Sequence, residues 1–148
     1  NAVQTHRAIL DADIAVLIGN CAANPYGGFI GGYKKLVTGL AGRASNASHH
    51  NPDTLHRHDW LGGAVDSHMR HQFQSIGEAI EEGIGKRVFA VDAVLGQFGE
   101  VLDVQAGTIA EVERATWPLA KLRADVGVDE REQPADILLV GLPRDVLE

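Results

Sequence analysis

Cysteine is nearly absent. The single Cys21 excludes an internal disulfide and a metal site built from clustered thiolates. So sparing a use of cysteine makes the cytoplasm the expected compartment, with Cys21 a small packed residue rather than a nucleophile. Basic charge is also in short supply: 13 Lys and Arg face 20 Asp and Glu, for a formal charge of −7 and a pI near 5.4. Nucleic acid and anionic membrane both select a basic face, so neither is expected as a partner. No apolar run approaches the roughly 18 residues that cross a bilayer. Internal repeats and low-complexity tracts are missing too. What is left is globular: 148 residues, 45% of them apolar, suffice to bury a core of ordinary size.

Hydrophobic periodicity predicts the elements. Residues 5–12 read as a short helix feeding a strand over 13–18, and residues 33–40 as a helix with Leu36, Val37 and Leu40 toward a sheet. A second short helix over 44–50 stops before Asn51-Pro52, because the residue preceding proline is pushed out of the α region. Residues 51–63 turn polar and irregular. Met69, Phe73, Ile76, Ala79, Ile80 and Ile84 then form a 3.6-residue stripe, an amphipathic helix over 67–84 that ends at Gly85. The runs 86–96 and 100–106 predict a hairpin, the first strand interior to the sheet and the second toward an edge. Thr108 and Glu111 have the spacing of a capping box for a helix with a core face of Val112, Ala115, Leu119 and Leu122, which Pro118 should kink or split. A short extended segment, a charged turn over 129–133 and a buried-strand pattern over 135–141 follow. This order predicts an α/β fold, a mixed β-sheet flanked by helices.

The segment 24–50, N-P-Y-G-G-F-I-G-G-Y-K-K-L-V-T-G-L-A-G-R-A-S-N-A-S-H-H, lies at the strand-to-helix crossing where open α/β sheets usually hold ligands. Gly27, Gly28, Gly31 and Gly32 remove side chains where the backbone must pass through positive φ or approach a ligand, and Lys34 and Lys35 sit at the start of the next helix. A nucleotide P-loop would need Gly-Lys-Ser/Thr, but Gly32 is followed by Tyr33 and Lys34 by Lys35. The G-G-x-x-G-G spacing is not the dinucleotide G-x-G-x-x-G either.

Six of the seven histidines, at 49, 50, 56, 58, 68 and 71, are crowded together, which raises a zinc-hydrolase alternative. Compared with the H-x-H-x-D signature, His56-Arg57-His58-Asp59 fails in register, since Asp59 directly follows His58. A solvated loop with hydrogen-bonding histidines is the better account of that cluster, Trp60 included. A non-catalytic binding module is the third reading.

The segment resembles the nickel-pincer lactate racemase family. There a strand runs into H-x-x-x-G-[FY]-x-G-G-x-K, an apolar helix start, P-G-[IVL]-[AC] and then N-H. Gly28-Phe29, Gly31-Gly32, Lys34, Gly39-Leu40-Ala41 and His50 fall in register without a gap. The resemblance implies that Lys34 carries a pyridinium mononucleotide through a thioamide, that Gly31, Gly32 and Lys35 line the cofactor, Lys35 as a phosphate or surface partner, and that His50 completes a square-planar nickel shell. A soft sulfur and carbon donor set with one imidazole suits Ni(II) in that geometry. The implied reaction is racemisation or epimerisation of a small 2-hydroxy acid by hydride transfer, with histidines taking the hydroxyl proton. One of those histidines has Asn24 in its place here. Asn24 can hydrogen-bond a hydroxyl or carboxylate but cannot carry a proton away.

The same resemblance sets the expected domain organisation. Residues 1–2 have the look of an expression-tag remnant, 3–134 of the later half of a racemase-like first domain, and 135–148 of the opening strand and loop of a second. Such a piece is expected to fold, to be inactive alone, to dock against the remaining domains of a parent chain, and to self-associate through the flank they would cover.

Overall fold

The computed structural model describes residues 3–57, 59 and 65–125. His58, Trp60 and the apolar run 135–141 lie outside the described residues. The strands are β1 (Ala15–Cys21), β2 (Ala23–Asn24), β3 (Gly28–Phe29), β4 (Val88–Leu95) and β5 (Val101–Thr108). The helices are α1 (Arg7–Asp11), α2 (Arg43–His49), α3 (Pro52–Leu55), α4 (His68–Ile84) and α5 (Ile109–Ala124), with a π-helical turn over Lys35–Gly39. β1, β4 and β5 form a mixed sheet in that order, β4 parallel to β1 and antiparallel to β5. β2 and β3 make a separate small hairpin.

Among the described residues strand β4 is interior and β5 is an edge, as their patterns predict. β1 runs further than expected, to Cys21, because Gly19 and Asn20 pair in register with Asp92 and Ala93 instead of turning. A side chain at residue 19 would press on Lys35, its Cβ lying 3.0 Å from Lys35 Cδ, so glycine here serves close packing within a strand. The expected helix over 33–40 becomes a wide π turn, a geometry that recurs at functional sites.

Helix α4 is delimited by side-chain chemistry. Ser67 accepts the Arg70 N–H at 3.2 Å, and Gly85 closes the helix at φ 67°. Its stripe buries Met69, Phe73 and Ile80, with Arg70, Gly77 and Glu81 beside them and Ala79 left exposed. Helix α5 has the expected capping box between Thr108 and Glu111. Its buried face departs from expectation: Ile109, Val112, Glu113, Thr116 and Ala120 point inward, while Ala115 and Leu122 are exposed. The face turns because Glu113 has buried partners to meet. Pro118 neither splits nor ends α5, which continues to Ala124; it lies on the exposed side, where the Arg114 carbonyl that loses its helical partner can meet water.

The core sits between the sheet and the helices. Leu36, Val37, Met69, Phe73, Val88 and Ala90 are fully buried, joined by Ile109 and Val112. Each large side chain among them contributes about 1.5–3 kcal/mol by leaving water. The opposite face of the sheet is apolar and open: Val16, Ile18, Phe89 and Val104 are all exposed, Ile18 to 79%. Among the described residues no helix covers it, although interior strands of this kind are normally covered on both sides. Concentration-dependent self-association in sedimentation runs is expected, and Ile18→Lys combined with Val104→Lys should leave one monomeric species. An unaltered profile would place the contact elsewhere.

Candidate functional site

Strand β1 ends at Cys21 and the chain at once folds into the β2–β3 hairpin, whose turn holds Pro25, Tyr26 and Gly27. Gly27, Gly28, Gly31 and Gly32 all take positive φ, at 75°, 83°, 88° and 52°. The loop is therefore a run of conformations that side-chain-bearing residues rarely adopt. Gly31 and Gly32 are buried, and Gly32 packs so closely on the Glu113 side chain that a Cβ there would collide with it.

Three charged side chains from three other elements hold this loop. Asp92 of β4, 1% exposed, accepts the Gly32 N–H at 3.0 Å and the Lys35 ammonium at 2.6 Å. Glu113 of α5 accepts the Tyr33 N–H at 2.8 Å. Arg70 of α4 donates to the carbonyls of Gly27 and Phe29 at 2.8 and 2.7 Å, and to Glu113 at 3.2 Å. Burial works against both members of that pair, raising Glu113 and lowering Arg70, and each is the main group opposing the other's shift.

Lys34 is the residue this frame presents. Its Nζ donates to Asn24 Oδ1 at 2.7 Å and to the Tyr26 carbonyl at 2.8 Å, with the Phe73 ring centroid 5.9 Å away. Burial first, and then the nearby Arg70 charge, pushes its pKa down to about 8 from the ordinary 10.5. A lysine so placed supplies a neutral amine close to physiological pH, the form needed for nucleophilic attack. Asn24, expected to stand in for an acid/base group, has its Oδ1 shared between Lys34 and the Tyr26 N–H at 2.9 Å.

Lys35, expected as a phosphate or surface partner, is placed inward, and its ammonium is held by Asp92 and by the Leu17 carbonyl at 2.8 Å. The two adjacent lysines thus serve opposite ends, one bracing the loop and one offered by it.

His50 caps α2 at its C-terminus and is exposed, with Nδ1 3.3 Å from the Asn46 carbonyl. That contact favours the Nδ1–H tautomer and leaves the Nε2 lone pair for a metal. Its ring centroid lies 6.4 Å from that of Tyr26, whose carbonyl holds Lys34, so the hairpin turn links the two. His49 is wholly buried and edge-on to Phe73, the ring centroids 4.9 Å apart. Burial, followed by the His50 charge, lowers its pKa to about 4, which keeps the ring neutral.

Three of the other histidines among the described residues do not join this site. His56, His68 and His71 are exposed, and His71 meets Asp66 at 3.0 Å. Among the described residues no three His, Cys, Asp or Glu side chains are grouped to hold a metal ion. Cys21 is buried and its thiol pushed up by that burial, which fits a packed residue. No helix among the described residues is long and apolar enough to cross a membrane.

Asp92, Arg70 and Glu113 are absent from the sequence-based expectations, and His49 enters them only as one of the crowded histidines. Asp92 had a usable signal, an acid inside the otherwise apolar run V-F-A-V-D-A-V-L, since a carboxylate buried in an interior strand must have partners. Arg70 and Glu113 had none, because charged residues are ordinary on helices until the buried face is known.

No family model matches the chain, and no curated protein is found similar to it. Solved structures are. The lactate racemase apoprotein from Thermoanaerobacterium thermosaccharolyticum superposes with a TM-score of 0.70 at 14% identity, over 79% of this chain and 27% of that one. A protein from Thermotoga maritima superposes with a TM-score of 0.63 at 23% identity, over 81% of this chain and 29% of that one. The chain thus has the fold of part of a lactate racemase and spans under a third of the length of either neighbour.

Proposed function

We propose that this chain is the cofactor-attachment part of a racemase or epimerase that acts on a small 2-hydroxy acid through a nickel-pincer nucleotide carried on Lys34. The observation that carries this reading is the state of Lys34: a half-buried amine with its pKa drawn down to about 8, held at the mouth of a glycine loop in a lactate-racemase fold. The residues fit the group. An amine forming a thioamide must be neutral, and with a pKa of about 8 Lys34 keeps a far larger neutral fraction near physiological pH than an ordinary lysine. An imidazole completing a nickel shell must offer one lone pair with its other nitrogen oriented, as His50 does.

When bound, a nickel-pincer nucleotide would supply reversible hydride-transfer chemistry at the substrate's hydroxyl-bearing carbon. The chain's own contribution is to hold and orient. Lys34 would anchor the group, His50 would offer Nε2 as a metal ligand, and Gly31 and Gly32 let the backbone turn without side chains in the way. Asn24 holds the lysine amine and offers its amide N–H groups to a hydroxyl or carboxylate, without acting as a base. One proton-transfer position of the family is Asn24 here, and the other histidine, with the carboxylate clamp, would belong to the remaining domains of the parent, so the isolated piece is proposed to be inactive.

The test is intact-mass analysis of the protein co-expressed with pincer-synthesising enzymes, with peptide mapping and metal content. An adduct on Lys34, lost in Lys34→Ala, is expected, with nickel that depends on His50 and not on His56. An adduct persisting in Lys34→Ala would refute the assignment. Zinc retained by the histidines between 56 and 71 would replace it with the hydrolase alternative, and no stoichiometric metal at all would favour a non-catalytic binding module.

A further inference from the structure

One guanidinium closes the glycine loop from beneath. Arg70 is 3% exposed, and its Nε, Nη2 and Nη1 reach the Gly27 carbonyl, the Phe29 carbonyl and Glu113 Oε1. The same Glu113 oxygen accepts the Tyr33 N–H, one residue before Lys34. A single side chain therefore ties together the two ends of a stretch that turns through four positive-φ glycines. Glycine's freedom would otherwise leave that stretch many conformations. The guanidinium is itself fixed by ring faces, 5.5 Å from the Phe73 centroid and 5.1 Å from that of Trp117, and Phe73 is also the ring beside Lys34 Nζ. An ammonium could not replace it, because only the planar fork sends separate N–H groups to three acceptors at once.

We propose that Arg70 is the positioning residue of the Lys34 site: by joining the Gly27 and Phe29 carbonyls to Glu113, and through it to the Tyr33 amide, it sets the loop that offers the Lys34 amine. The role of that amine as attachment point rests on the function proposed above; the positioning itself is a property of the protein without cofactor. The ionisable groups facing Lys34 are Arg70 from α4 and His49 from α2, with Glu113 of α5 behind Arg70. Asn24 and the Tyr26 carbonyl are its neutral partners. Loss of Arg70 removes a repelling charge and frees the loop to hydrate Lys34, and both changes make the ammonium harder to deprotonate.

The experiment is competitive acylation of the cofactor-free protein with a small activated ester across pH, each lysine quantified by mass spectrometry and Lys121 used as the exposed reference. In the wild type, Lys34 should reach half-maximal labelling near its pKa of about 8. In Arg70→Gln the midpoint should move up toward ordinary lysine, with Lys34 labelling relative to Lys121 falling about tenfold at neutral pH. Arg70→Lys keeps the charge without the fork; it should also fall short of the wild type, and it carries the test where Arg70→Gln does not fold. A wild-type profile in the folded variants would overturn the proposal, as would full rescue by Arg70→Lys, which would make charge alone sufficient. A shifted profile in a protein whose Lys34 never takes up pincer leaves Arg70 in its role and removes the proposed function. Uptake at Lys34 with an unshifted profile does the reverse.

Discussion

Asp92→Ala is expected to lower the unfolding free energy by about 3 kcal/mol, read as a shift of the urea midpoint at constant slope. Asp92 lies on the central strand β4, with its carboxylate 1% exposed and both oxygens engaged, one by the Gly32 N–H and one by the Lys35 ammonium. Truncation leaves that N–H without its acceptor and strands a lysine whose side chain is 19% exposed. A buried donor without a partner costs about 1–3 kcal/mol, and an uncompensated buried charge costs more, although Lys35 keeps the Leu17 carbonyl and some water. Asp92→Asn should lose less, since its amide oxygen can still accept from Gly32. Asp92→Ala in a Lys35→Met background should recover part of the loss, because the charge that had been stranded is gone. Strictly additive effects in that double-mutant cycle would show that the two side chains do not act as a pair. A loss below about 1 kcal/mol for Asp92→Ala would show that the loop is held by Arg70 and Glu113 alone.

The loss should be felt at the site as well as in the core, because Gly32 is two residues from Lys34. This coupling explains which parts of the molecule could be read from the sequence. Local rules sufficed where one residue type has one physical reason to be present. Glycine at 27, 28, 31 and 32 signals positive φ, Ser67 and Gly85 bracket α4, and Thr108 with Glu111 caps α5. They failed where the cause is tertiary. The inward face of α5 was misplaced because its two polar members, Glu113 and Thr116, are buried: Glu113 answers to Tyr33 and Arg70, and Thr116 bonds the Val112 carbonyl. The length of β1 was underestimated because Gly19 and Asn20 resemble a turn until the partner strand is known. The opposite fates of Lys34 and Lys35 have the same origin, since nothing in a K-K pair says which of the two meets a buried aspartate.

Lys34→Met is expected to stabilise the cofactor-free protein at neutral pH by about 1–2 kcal/mol, an uncommon result for removing a charged residue that makes two hydrogen bonds. The reason lies in the proton. Lys34 has a pKa of about 8 in the folded chain against 10.5 for ordinary lysine. Above 10.5 neither state binds the proton, so the shift has no effect on stability there. As pH falls from 10.5 to 8 the unfolded chain takes up the proton and the folded chain does not, so stability declines through that window. Below 8 both are protonated and the penalty remains at full size, at most about 3 kcal/mol for a shift this large and less after screening by solvent at a half-buried site. Methionine fills the same volume with no charge to desolvate, and Asn24 Oδ1 keeps the Tyr26 N–H. The variant should therefore gain stability at pH 7 and lose the wild type's decline between pH 10 and 8, both measurable by chemical denaturation. A less stable variant at pH 7 would mean that the bonds to Asn24 and Tyr26 outweigh the desolvation of the ammonium. If the gain is found, Lys34 is a residue that the fold tolerates at a cost, and the cost is explained by chemistry that needs a neutral amine at the mouth of the glycine loop.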